Sequence, residues 1–188
     1  MGLSNLFQFP SYQSWLAWMK KFFGEEHLQR KSKSRGRSGT GNLRNEFSKP
    51  RIILDTKPLI KLFAKEDGWE TVQKILICAE DGKIEAAMSV VTLTEVYYKY
   101  IREKRVDLAK TRTEELRYAL NVRKLEITED VAIKAGEFKG KYSIPVADAF
   151  IAATAYLDKS VVITDDADFK IVGEIKTLAE KEFLSSLG

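Results

Sequence analysis

The chain has 188 residues, 44% hydrophobic and 31% charged with a formal net charge of +4, which allows one globular domain with a sizeable core plus an additional segment. The single cysteine, Cys78, excludes an internal disulfide and suits a reducing compartment, so we expect a cytoplasmic location. With His27 as the single histidine, a zinc site built from histidines or a Ser-His-Asp triad is almost excluded. Any catalytic site must therefore use carboxylates.

The first predicted element is an amphipathic helix within residues 1–28. Its aromatic and apolar side chains recur at helical spacing on one face. We expect this face to dock on protein, with contact to a membrane surface as the alternative, because the segment is too short and too polar to span a bilayer. The residues of that face are Tyr12, Trp15, Leu16, Met19, Phe22 and Phe23.

A basic linker is predicted over residues 29–50. This stretch is rich in Ser, Gly, Lys and Arg and has no apolar periodicity. Residues 1–50 carry nine Lys and Arg against three Glu, whereas residues 51–188 carry 22 against 24 acids, so the basic character belongs to the first part of the chain. One alternative to a merely solvated linker is that its basic residues contact RNA phosphates. Another is that residues up to about 45 are foreign to the domain, as in a fusion.

Residues 51–188 form the predicted domain, in which short apolar strands alternate with helices. This alternation is typical of a parallel sheet covered on both faces. The predicted strands are residues 52–54, 84–88, 124–127, 161–163 and 174–177. The predicted helices are residues 58–63, 68–82, a helix capped near Thr92, 107–121, a helix from a Thr128 cap to Lys141, one from Pro145 to Leu157 and one from Leu178.

Acidic residues stand at the ends of predicted strands and in the first turns of predicted helices. The carboxyl ends of parallel strands are where open α/β sheets place their ligands. Like charges about 4 Å apart repel by roughly 4 kcal/mol at an effective dielectric of 20, so clustered carboxylates favour a divalent cation. The sequence therefore predicts a Mg2+ or Mn2+ site. Its candidate residues are Asp55, Glu95, Asp148, Asp165, Asp166 and Asp168.

Most of these acids also have a purely structural interpretation. Asp55 is placed to cap the helix that Pro58 opens, and Glu95 suits the first turn of its helix through the helix dipole. The run over residues 165–168 is typical of a turn rich in Asx hydrogen bonds. Asp148 is the strongest individual candidate, because an unpaired carboxylate buried in an alanine-rich helix is costly.

Four motifs occur in order along residues 51–186. They read Ile-Ile-Leu-Asp55-Thr56, Thr94-Glu95-Val96, Val-Ala-Asp148-Ala-Phe-Ile-Ala-Ala and Val-Ile-Thr164-Asp-Asp166-Ala-Asp168-Phe169. In order and approximate spacing they resemble the acidic motifs of PIN-domain nucleases, and among these the VapC group of toxin ribonucleases. The resemblance implies an α/β/α sandwich with a parallel sheet, often dimeric, that cleaves single-stranded RNA with Mg2+ or Mn2+. It also implies a small antitoxin that occupies the acidic groove through arginine and aromatic side chains.

The resemblance assigns roles to individual residues. The implied metal ligands are Asp55, Glu95, Asp148, Asp166 and Asp168, and the first four are also the implied catalytic acids. Asp165 is expected to face solvent. Thr56 is expected to orient Asp55 or a metal-bound water, and Thr164 is expected to support the site.

Other functions fit the sequence less well. A phosphatase of the haloacid dehalogenase type needs a second aspartate two residues after its nucleophile, where this chain has Lys57. A response-regulator receiver needs an acid pair at its first strand and a phospho-accepting aspartate at its third, and neither is convincing. A non-enzymatic alternative is an RNA- or partner-binding adaptor whose acids hold a structural cation. A further hypothesis is that the N-terminal segment covers the acidic groove in cis.

Overall fold

A computed structural model describes residues 49–187 of the chain. The predicted N-terminal helix, and all of the predicted linker except its last two residues, lie outside the described residues. Docking of the N-terminal helix on protein, its contact with a membrane surface, and the covering of the acidic groove by the N-terminal segment therefore stay predictions. Within residues 49–187 no helix combines the length and the apolar character needed to cross a membrane.

A sheet of five parallel strands in the order β3-β2-β1-β4-β5 lies at the centre of the domain. Ile52, Ile53 and Leu54 of the central strand are each 0% exposed. Because successive side chains of a strand point to opposite faces, both faces of the sheet must be covered. The strands are β1 (Arg51–Leu54), β2 (Glu85–Ser89), β3 (Val122–Leu125), β4 (Val161–Ile163) and β5 (Thr177–Leu178).

Helices cover the sheet and complete the α/β/α sandwich, which confirms the predicted fold class. Thr128 accepts a hydrogen bond from the Val131 amide, as expected for the cap of α5. The helices are α1 (Thr56–Ala64), α2 (Trp69–Glu80), α3 (Val91–Arg102), α4 (Val106–Tyr118), α5 (Glu129–Tyr142), α6 (Val146–Asp158), α7 (Ala167–Lys170) and α8 (Glu180–Ser186).

Helix α6 packs through alanines. Ala149, Ala152, Ala153 and Ala155 are each 0% exposed and belong to one apolar cluster with residues of β1, β2 and β4. Side chains this small let the backbone of a helix approach the sheet closely. Asp148, in the first turn of α6, is therefore held on a rigid support.

The direction of strand addition reverses at β1. The chain adds β2 and β3 on one side of β1 and then crosses to add β4 and β5 on the other side. Ile52 pairs with Ala86 of β2 and with Val161 of β4. In an open parallel sheet, the crevice beyond the carboxyl ends of the strands at such a reversal is the usual ligand site. The residues that follow β1 and β4 border this crevice.

The edge strands differ from the prediction. Strand β3 lies two residues earlier than the predicted 124–127, and β5 is only Thr177–Leu178 instead of 174–177. Both strands lie at the edges of the sheet. An edge strand is covered less completely than a central one, so its apolar pattern is weaker: in β3 only Val122 is buried.

Two local predictions were wrong. Thr92 does not cap a helix: α3 begins at Val91, and the Thr92 hydroxyl is buried and has no hydrogen-bond partner among the described residues. The last helix begins at Glu180 rather than at Leu178, which belongs to β5.

Candidate active site

Asp55 and Thr164 join the ends of the two strands beside the crevice. Asp55 follows β1 and is 3% exposed, and Thr164 follows β4 and is 0% exposed. The Thr164 hydroxyl donates to Asp55 Oδ2 at 2.8 Å and accepts from the amide of Asp166 at 3.1 Å. Asp55 stands at the N-cap position of α1, where the backbone amides of Thr56 and Lys57 act on its carboxyl group, so it combines the cap position with a place at the crevice.

Glu95 reaches the same crevice from α3. Its carboxylate is half-buried and accepts a hydrogen bond from the hydroxyl of Thr56, the first residue of α1. The predicted role of Thr56, to orient Asp55 or a metal-bound water, stays a prediction. Helix α1 packs against α3, so the Thr56 hydroxyl at its start reaches Glu95 across the crevice, while the Thr164 hydroxyl donates to Asp55.

The segment over residues 165–168 forms the turn that its sequence predicts and also faces the crevice. Asp166 Oδ1 accepts from the amide of Asp168 at 3.0 Å, while Asp166 Oδ2 pairs with Lys57 Nζ at 2.9 Å. Asp165 is exposed, as expected, and pairs with Lys61 Nζ at 2.7 Å. Asp168 is half-buried but does not line the cleft, so its place among the ligands stays a prediction.

These side chains border one cleft of about 720 Å³. Asp55, Glu95, Asp148, Asp165 and Asp166 all line it, although Asp55 and Asp166 stand more than a hundred positions apart in the chain. The structure therefore brings together five of the six candidate acids, including the four that the resemblance implies as catalytic. The four come from the ends of β1 and β4, from the second turn of α3 and from the first turn of α6, so Glu95 does not lie in the first turn that the sequence predicted.

The pKa values of these acids show that the carboxylates act on one another. Burial raises the pKa of Asp55 and of Glu95, and neighbouring carboxylates raise both further. Burial, followed by the charges of Asp55, Glu95, Asp166 and Asp168, raises the pKa of Asp148 to about 7. Hydrogen bonds from Thr164 and Thr56 work in the opposite direction on Asp55 and Glu95. The cleft is thus costly to charge fully without a cation.

Asp166 differs from the other three acids. Burial opposes its ionisation, but the hydrogen bond from Asp168 and the ammonium group of Lys57 outweigh burial and lower its pKa. Lys57 is therefore a counter-charge within the cleft, a role that the sequence analysis did not foresee. Lys57 and Lys61 stand one helical turn apart on α1, just after Asp55, and this spacing was the available signal.

The effect of pH on stability follows from Asp148. A carboxyl whose pKa is raised in the folded state contributes stability that is lost as the pH rises through about 7. For metal-free protein, we expect the melting temperature of Asp148→Asn to equal that of the wild type near about pH 4 and to exceed it by roughly 3 °C or more near about pH 8. Thermal denaturation of both proteins across this range checks the prediction, and a difference that stays constant with pH would contradict it.

The donor set suits a hard divalent cation. Carboxylate oxygens are the ligands that Mg2+ and Mn2+ prefer, and Mg2+ keeps several waters and takes only one or two carboxylates directly. Within residues 49–187, no three acidic, histidine or cysteine side chains form by themselves a group that could hold a metal ion. By their chemistry, the carboxylates of Asp55, Glu95, Asp148 and Asp166 are nevertheless the residues that would hold such a cation.

The sequence matches the PIN domain family over residues 52–175, more than half of the chain. The matched range contains every residue that the sequence analysis places in the site. The chain belongs to the PIN-domain family. The predicted family is therefore confirmed. A comparison with curated proteins found no match.

Solved structures of toxin–antitoxin proteins share this PIN fold. A toxin–antitoxin complex from Klebsiella pneumoniae is 24% identical, with a TM-score of 0.51 over 69% of this chain and 97% of that chain. VapBC2 from Rickettsia felis, bound to a promoter DNA fragment, is 16% identical, with a TM-score of 0.56 over 69% and 98%. The sarcin-ricin loop cleaving toxin VapC20 of Mycobacterium tuberculosis is 20% identical, with a TM-score of 0.53 over 65% and 95%. At these identities the likeness establishes the fold.

Proposed function

We propose that this PIN-domain protein is a Mg2+- or Mn2+-dependent endoribonuclease that hydrolyses phosphodiester bonds in single-stranded RNA. The observation that carries the proposal is the convergence of Asp55, Glu95, Asp148 and Asp166 on one cleft at the strand reversal. Phosphodiester hydrolysis needs an activated water and a counter-charge for the phosphate. A divalent cation held by these carboxylates supplies both when it is bound.

The residues at the cleft would have different roles in the proposed reaction. Asp55, Glu95, Asp148 and Asp166 would hold the cation, directly or through water, with Asp168 as a nearby acid. Thr164 fixes the orientation of Asp55, and Thr56 fixes that of Glu95. Lys57 pairs with Asp166 and so offsets part of the negative charge of the cleft where an RNA phosphate would enter.

RNA degradation tests the proposal. Purified protein is incubated with a labelled single-stranded RNA in Mn2+, in Mg2+ and in EDTA. We expect cleavage within the strand in the presence of either metal and none in EDTA, because the carboxylates alone repel the phosphate. Intact RNA under all three conditions, with folded protein, would contradict the proposal.

The toxin assignment adds a protein partner. The neighbouring structures include complexes of VapB with VapC, and the FitAcB protein of Neisseria gonorrhoeae shares the fold at 21% identity with a TM-score of 0.53. We propose that this chain is the toxin of such a pair in the cytoplasm, with a small antitoxin as its partner and a homodimer as its own assembly. A short reading frame for a DNA-binding protein beside the gene would support the pairing.

The adaptor alternative rests on the Lys57–Asp166 ion pair, since an internal ammonium group reduces the need for a metal ion. An adaptor binds RNA without cleaving it in Mn2+. In the degradation assay, a nuclease yields RNA fragments in Mn2+, whereas an adaptor yields intact RNA that is recovered bound to the protein.

A further inference from the structure

The face of α3 that carries Glu95 continues beyond the acids. Tyr98, Lys99 and Arg102 follow Glu95 by three, four and seven positions, and side chains at these spacings share one helix face. All four side chains line the cleft. From Glu95 to Arg102 the helix rises by about 10 Å. Within this short distance the face of α3 changes from the acidic Glu95 to the aromatic Tyr98 and the basic Lys99 and Arg102, although Glu66 and Glu103 also line this end of the cleft.

Tyr98 presents its ring to solvent at the cleft. The residue is 58% exposed, and the guanidinium of Arg102 lies over the ring at 5.6 Å from its centroid. The buried face of α3 is formed by Thr92, Val96 and Tyr100, so the fold does not use the Tyr98 ring for its core. Lys99, in contrast, is paired with Glu103 at 2.8 Å.

Resting on the proposed function, we propose that Tyr98 and Arg102 form the subsite for an unpaired nucleotide of the RNA beside the cleaved bond. The base stacks on the Tyr98 ring, and Arg102 contacts the adjoining phosphate. A base in a single strand is free to leave its neighbours and stack on an aromatic side chain, whereas a paired base is not. Tyr98 therefore gives the cleft its preference for single-stranded RNA.

The charge pattern favours RNA over a protein segment at this subsite. Arg102 adds positive charge where the carboxylates of the cleft repel phosphate, and an arginine beside an aromatic ring suits both parts of a nucleotide. Tyr98 also borders a second, mostly apolar groove on α3 and α4, lined by Leu93, Tyr97 and Ile101. A protein segment would occupy that groove, so the test must separate base stacking from protein docking.

RNA binding without cleavage tests the subsite. The probe is a short labelled oligouridine, and the protein is the full chain carrying Asp148→Asn, in Mn2+ buffer, with anisotropy as the measurement. Adding Tyr98→Ala is expected to weaken binding about 5- to 100-fold, and Tyr98→Phe to preserve it, because stacking uses the ring rather than the hydroxyl. The matched control is Tyr97→Ala, on the same helix and 38% exposed, which should leave the affinity unchanged.

An abasic oligonucleotide with the same backbone identifies the contact. Tyr98→Ala should not change its affinity, whereas Arg102→Gln should weaken both probes and lower the salt dependence of binding. Equal RNA affinity with and without Tyr98→Ala overturns the inference. An equal loss for both probes overturns the stacking role. These binding measurements need no cleavage, so they are independent of the degradation assay. Absence of cleavage in that assay would overturn the proposed function, not the subsite.

Discussion

Asp148→Asn should reduce Mn2+-dependent RNA cleavage by at least about 100-fold while the domain stays folded. The substitution keeps the size of the side chain but removes the charge that four other carboxylates oppose. Asp55→Asn should have the same effect on cleavage. The rate of RNA cleavage, measured beside circular dichroism of each variant, checks both predictions.

Thermal shift on adding Mn2+ gives a second measurement for Asp148→Asn. Mn2+ should raise the melting temperature of the wild type and raise that of the variant far less, since binding to the folded state alone stabilises it. Asp130→Asn is the matched control: Asp130 is an exposed aspartate that does not line the cleft, and its loss should leave cleavage and the Mn2+ shift near wild type. Full activity in Asp148→Asn would remove this residue from the site.

Thr164→Val should lower both activity and stability. The Val side chain has nearly the same shape but leaves the buried Asp55 carboxylate without its donor and the Asp166 amide without its acceptor. Unpaired buried polar groups cost about 1–3 kcal/mol each, and loss of an orienting hydrogen bond at a metal site typically costs about 10- to 100-fold in activity. Denaturant unfolding and cleavage rates measure the two effects.

Thr164→Ser is the control for this prediction, because it keeps the hydroxyl and removes only a methyl group. It should retain most of the activity. If Thr164→Val and Thr164→Ser behave alike, the hydroxyl does not position Asp55, and the methyl packing of Thr164 is what matters.

The acids of the site could be predicted from sequence because their positions follow from simple rules. A buried apolar strand that ends at Asp55, and another that ends shortly before Asp166, place both residues at the same edge of a parallel sheet. The alanine pattern of α6 likewise identified its buried face and the unusual position of Asp148. These signals are local, and periodicity reports them directly.

The pairings between side chains could not be predicted in this way. Thr56 binds Glu95, and Lys57 binds Asp166, across the space between α1 and elements distant in sequence. These contacts depend on strand order and helix packing, which residue spacing does not encode. Edge strand β3 was misplaced for a related reason, since Arg123 and Lys124 interrupt the apolar pattern that marks the central strands.

The close approach of α6 to the sheet sets a limit on mutational tolerance. Ala149, Ala152 and Ala153 are fully buried, and inserting methylene groups into a packed core typically costs about 1–3 kcal/mol through backbone shifts. Such a shift would carry the Asp148 carboxylate with it. A genetic screen for inactive variants should therefore recover bulky replacements along this helix that touch neither RNA nor metal.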